Sequence, residues 1–184
     1  MNKKSVIIGS MLLAFAVSST AGAQSGAMKE MPFGDPGSVK YAQKLWKKMA
    51  KAHLVGAYAV MSKPYKGTHP HGAVLDTIER DLKMKRNVGR VIVKRNYGGE
   101  GITVPAVYNN PSMYLKAVTV MYKREAGYDP DNQDWFWAKY SPQGEVLTNP
   151  KGMQLAGRVA KGASEGCIAC HQAAPGGDYV FNHD

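Results

Sequence analysis

Cysteine is almost missing from this chain of 184 residues: there are two, Cys167 and Cys170, close to the C-terminus. One such pair excludes a disulfide framework. With no second Cys-x-x-Cys and no spaced histidine pair, it also falls short of the four ligands that a structural zinc site takes. Long apolar runs are missing as well. The longest, from about Val6 to Val17, is shorter than the roughly 20 residues that a bilayer-spanning helix needs. Acidic side chains are scarce, 14 against 24 basic ones, which gives a formal charge of +10. The lysines are nevertheless spread along the chain. That reads as a solvated basic surface, suited to meeting an acidic partner, and no nucleic-acid partner is expected. Two further motifs stop short. "GGEG" (98 to 101) has no Lys-Ser/Thr after it and cannot cradle phosphate. "DPDNQD" (129 to 134) lacks the glycine and closing glutamate of a calcium loop and reads as a turn.

What the chain does have begins with its first segment. Lys3 and Lys4, the apolar run and the small residues Ala21-Gly22-Ala23 form the layout of a secretory signal peptide, cleaved after about Ala23. An uncleaved anchor is the alternative. Export to the periplasm is the expectation, and the remaining 161 residues carry a formal charge of +8 once Lys3 and Lys4 are gone. Residues 24 to 34 read as a flexible leader, and 35 to 184 as one domain, long enough to bury a core. "DPGSVKYAQKLWKKMAKAHLVG" predicts a helix capped by Asp35, with Pro36 in its first turn and Gly56 closing it in the left-handed conformation. Val39, Ala42, Leu45, Trp46, Met49 and His53 make its apolar stripe. The period then changes. Residues 72–78, 89–97, 114–125 and 134–140 are short, β-branched or aromatic, and bounded by turn residues. In the second run Val91 and Val93 oppose Ile92 and Lys94; in the last, Trp135 and Trp137 oppose Phe136 and Tyr140. The fold class is therefore α+β: a mainly antiparallel sheet with an N-terminal amphipathic helix and a C-terminal segment folding back over it.

That last segment holds "GCIACHQ" (166 to 172), where His171 follows the second cysteine directly. A redox dithiol should follow an early strand in a βαβ unit, and a plain disulfide leaves His171 without a role. Covalent attachment of one haem c uses all three residues. Cys167 and Cys170 add to the two vinyl groups, and His171 supplies the axial nitrogen to iron. For a sixth ligand, the ten methionines and His53, His69, His71 and His183 are candidates. Met49, Met121 and Met153 read as core filler and "HPH" (69 to 71) as a loop entering a strand. An open distal face and a capped one are equally compatible with the sequence.

The order of these parts resembles the cytochrome P-460 family, which includes the cytochromes c′-beta. A signal peptide and helix come first, then strands containing "GRVIVKRNYGG" and "VTVMYKREAGYDPDNQDWFWAKY", with "GCIACH" only at the end. The resemblance implies an often homodimeric, mainly antiparallel β protein with a five-coordinate haem c, bound by Cys167, Cys170 and His171. In the P-460 members proper a strand lysine is also bonded to the haem edge, and the chemistry becomes hydroxylamine oxidation. Lys94 in "VIVKRN" stands at the position that resembles it. The resemblance also implies an acidic group above the iron. None can be placed, since the third strand holds no carboxylate and Glu100 and Glu125 lie in or beside loops. Three functions follow: oxidation of hydroxylamine with electrons passed to a periplasmic redox partner, capture of NO at an open iron, or plain electron transfer.

Overall fold

The computed structural model describes residues 33–181; the expected signal peptide, most of the expected leader and His183 lie outside them. Helix α1 spans Pro36–Lys51. Asp35 caps it by accepting the Ser38 amide proton (2.9 Å), which satisfies one of the donors that a helix start leaves orphaned. The end differs from the expectation. The helix stops at Lys51, and the first left-handed residue after it is His53 (φ 56°), with Gly56 (φ 84°) in a later turn. His53 is exposed and leaves the apolar stripe, whereas Ala42, Leu45 and Met49 are fully buried.

Six strands follow: β1 (Tyr65–Lys66), β2 (Val74–Met84), β3 (Asn87–Tyr97), β4 (Leu115–Lys123), β5 (Trp135–Tyr140) and β6 (Ala156–Gly157). They form one antiparallel sheet in chain order, so the predicted meander and the α+β class are both found. Strand β2 runs well past the expected Ile78. Its outer half, "ERDLKM", alternates too weakly in polarity to be seen in sequence, but pairs fully with β3 through a turn at Lys85 and Arg86. The supposed linking loop after β3 contains two short helices, α2 (Val104–Asn109) and α3 (Pro111–Tyr114). Thr103 caps α2 by accepting from the Ala106 amide (3.1 Å), the start signal of a Thr-x-Pro sequence. "DPDNQD" is a turn, with one 3-10 turn at Pro130–Asn132.

The period-two alternation sorts the sheet into two faces. Val91, Val93, Val118, Val120, Tyr122, Phe136, Ala138 and Tyr140 pack against Ala42, Leu45 and Met49 of α1. Ile92, Met121, Trp135 and Trp137 pack on the other face against Val159, Ile168, Tyr179 and Val180. Phe33 belongs to this second cluster, and Gly34 donates to the Ala156 carbonyl (2.7 Å), so the end of the leader is held in place.

On the α1 side, Arg95 and Asp76 form a buried ion pair (2.6 Å). Arg95 also donates to the carbonyls of Leu54 (2.9 Å) and Val60 (2.6 Å), and Tyr97 donates to Asp76 (2.6 Å). This network ties the chain leaving α1 to the sheet, and so sets where the segment through Pro70 and His71 begins. Removing one member strands a buried charge, whereas the Arg90–Glu79 pair is partly exposed to solvent. Asp76→Ala is expected to lower unfolding free energy by about 3–5 kcal/mol, and Arg90→Ala by less than about 1 kcal/mol. Urea titrations of both variants check the contrast.

Candidate haem site

The final helix, α4, spans Cys167–His171. Residues three and four apart share a helical face, which brings Cys167, Cys170 and His171 together. Gly166 opens the turn at φ 119°, and a Cβ there would meet the Ala160 methyl at 2.4 Å, so no other residue fits. Ile168 plugs α4 into the second core, its amide donating to the Val159 carbonyl (3.4 Å). Around it the C-terminal segment is pinned to the β4–β5 loop. Lys161 pairs with Asp129, Tyr179 donates to Asn132 (3.3 Å), and the Trp135 indole donates to the Asp178 carbonyl (3.1 Å).

Between α4 and the sheet lies a cavity of about 930 Å³. Its sheet wall includes Ile92, Lys94, Thr119, Met121, Trp137 and Lys139; Cys167, Cys170 and His171 line it from α4, and His71 from the loop before β2. Every residue that the sequence singled out for haem attachment therefore faces one space. Both cysteines are free. Burial pushes the Cys167 thiol up to about 11, opposite to the lowered value that marks a redox dithiol. His171 is buried, and its ring meets Trp137 (4.8 Å between centroids) and Phe181 (5.3 Å) edge-on. Its Nδ1 lies 2.7 Å from the Tyr179 carbonyl. A carbonyl only accepts, so Nδ1 carries the proton and Nε2 keeps a bare lone pair. Burial holds the ring below its usual value.

Lys94 stands on the cavity side in a row Thr77–Lys94–Thr119–Lys139 across four strands. It is 8% exposed, and no acceptor pairs with its amine among the described residues. Burial lowers its pKa. Glu79 is the carboxylate on the cavity wall, but Arg90 holds it (Nη2 to Oε2, 2.8 Å). Glu100 is exposed and Glu125 pairs with Arg124, so neither expected loop carboxylate reaches the site.

Of the histidines named as sixth-ligand candidates, His71, read in sequence as part of a loop entering a strand, lines this cavity. Burial pushes His71 down to about 4, and its ring stands 6.0 Å from that of His171, at 87°. No strand parity applies to a loop, so nothing in the sequence aims this side chain. Met121 lines the same cavity from β4, and Met153 packs beside the second core.

The cavity suits a haem. Its volume lies at the upper end of small-molecule and cofactor sites, about 300–1,000 Å³. Its walls are aromatic and aliphatic, a bare imidazole nitrogen and two thiols converge on it, and Lys63, Lys66 and Lys139 can meet haem carboxylates. The Trp137 ring forms part of this wall, and its indole N–H is buried with no acceptor among the described residues. An antiparallel sheet with such a cavity closed by Cys-x-x-Cys-His defines a haem c cytochrome. The family model for Cytochrome P460 matches residues 39–182, and the chain belongs to that family. No curated protein and no solved structure matches it.

An amine buried without a partner burdens the folded state as long as it is charged. With its pKa lowered in the fold, the unfolded chain binds more protons, so Lys94 makes stability rise with pH up to its ordinary value near 10.5. The burden is fully present below the lowered value and gone above 10.5. Lys94→Met should therefore raise the melting temperature of haem-free chain at pH 7, with the gain shrinking by pH 10. Thermal melts at the two pH values check it.

Proposed function

We propose that the chain is a periplasmic cytochrome carrying one haem c, covalently held by Cys167 and Cys170 with His171 as axial ligand, and that it acts on a small nitrogen compound, hydroxylamine or NO. The observation that carries the reading toward oxidation is Lys94. Its unpaired amine, lowered in pKa, shares the cavity with Cys167, Cys170 and His171. A haem bound there supplies a redox-active iron to which a small nitrogen compound can coordinate. The residues do the rest. The Tyr179 carbonyl fixes the His171 tautomer and aim. Trp137 and Phe181 pack that ring from two sides and exclude water. Burial lowers the Lys94 pKa and so raises the share of neutral amine, the form that a bond to the macrocycle edge would require. That bond replaces an N–H and a C–H, so an oxidant such as peroxide or ferric iron must take up the electrons as the protons leave.

The electrons drawn from hydroxylamine would pass to an acidic periplasmic redox partner, which the +8 surface suits. Exposed Tyr58, Val60, Tyr108 and Met113 leave apolar surface for a second copy, in line with a homodimer. NO capture without turnover is the second reading, favoured by the absence of an unpaired carboxylate among the described residues of the cavity wall.

The test is the ferrous visible spectrum together with hydroxylamine turnover, for wild type and Lys94→Ala. A red-shifted Soret band and turnover, both lost in Lys94→Ala, are expected. An ordinary haem c spectrum that Lys94→Ala leaves unchanged would contradict oxidation and leave NO capture.

A further inference from the structure

Two histidines, His71 and His171, line this cavity, and one nitrogen of each is held in the same way. His71 Nδ1 lies 3.2 Å from Asn96 Oδ1. The orientation of that amide is fixed, because Asn96 Nδ2 donates to the carbonyls of Lys94 (2.8 Å) and Ala117 (3.2 Å). Oδ1 can only accept, so the His71 Nδ1 carries the proton, and Nε2 is left with its lone pair and no hydrogen-bond partner among the described residues. The Tyr179 carbonyl does the same for His171. An imidazole with one nitrogen donating to a carbonyl and the other bare has the hydrogen-bonding pattern of a metal-ligating histidine.

The spacing agrees. Two imidazoles on opposite sides of one metal hold their centroids ~6 Å apart, given metal–nitrogen bonds of about 2.0–2.1 Å plus the ring radius on each side. The observed separation is 6.0 Å. Met121 and Lys94 also reach the cavity, but both project from the sheet. His71 comes from the loop before β2 and so can move without breaking a strand. A second histidine ligand would depart from the five-coordinate iron that the family resemblance implies.

We infer that His71 is the second axial ligand of this site, bound through Nε2 opposite His171 at rest and displaced when a small ligand such as NO or CO binds. This rests on the reading that Cys167, Cys170 and His171 hold the haem. In the exchange the His71 Nε2 bond to iron breaks as the ligand's bond forms, with no change of oxidation state. Asn96 and Thr119, the latter 3.4 Å from Nδ1, keep the departing ring nearby for return.

The experiment uses the purified haem-loaded protein, with haem content measured first. The ferric wild type is expected to be low-spin by visible and electron paramagnetic resonance spectra. His71→Ala turns high-spin, and added imidazole restores the low-spin form. His71→Met stays low-spin but raises the reduction potential, since a thioether replaces a nitrogen. In stopped flow, CO binding to ferrous wild type saturates at the rate of His71 departure, while binding to His71→Ala rises linearly with CO. A high-spin wild type overturns the proposal even if neither variant folds. A low-spin wild type whose spectrum and potential ignore both substitutions overturns it too, by naming another ligand. A chain that carries no haem at all would sink the reading of the site, and this proposal with it.

Discussion

Successive residues of a β-strand point to opposite faces of its sheet, and the site depends on the face that β3 assigns to each. With Val91 and Val93 turned to helix α1, Ile92, Lys94 and Asn96 must face the C-terminal segment. A one-residue slip would bury Lys94 against Ala42, Leu45 and Met49 and send valine into the cavity. The apolar demand of α1 therefore fixes where a charged side chain stands on the opposite face. Core and site are two results of one register.

That constraint also organises the chemistry around Lys94. The residue after it, Arg95, faces the helix side and closes a fully paired network with Asp76 and Tyr97. The residue after that, Asn96, returns to the cavity side and sets the tautomer of His71. Three consecutive side chains thus supply an unpaired amine, a structural ion pair and an orienting amide. The contrast between Arg95 and Lys94 is instructive. Both are buried basic side chains, but Arg95 has a carboxylate and two carbonyls, whereas Lys94 has no acceptor among the described residues. A cation left unpaired in apolar surroundings is costly, and such residues persist where function retains them.

Much of this was legible beforehand, and the reasons are local. Asp35 and Pro36 announce a helix start by capping chemistry alone. The β3 and β5 alternation shows which of Lys94, Trp135 and Trp137 share a face, and "GCIACH" carries its chemistry in its spacing. What stayed hidden depends on tertiary contact. The outer half of β2 is polar, and only pairing with β3 makes it a strand. His53 looked like the next turn of a stripe, but the helix had already ended. His71 sits in a loop, where no period assigns direction; its aim comes from Asn96 and Thr119 on two different strands.

The account stands on one space being shared by Cys167, Cys170, His171 and Lys94. Proteolysis of the purified protein, followed by mass mapping of the haem-bearing peptides, tests that most directly. The prediction is a haem carried by the peptide containing Cys167 and Cys170 and joined, through the same macrocycle, to the peptide containing Lys94. Haem on the cysteine peptide alone would leave the attachment intact and remove Lys94 from the bond. Unmodified Cys167 and Cys170 in protein with full haem content would contradict the account itself.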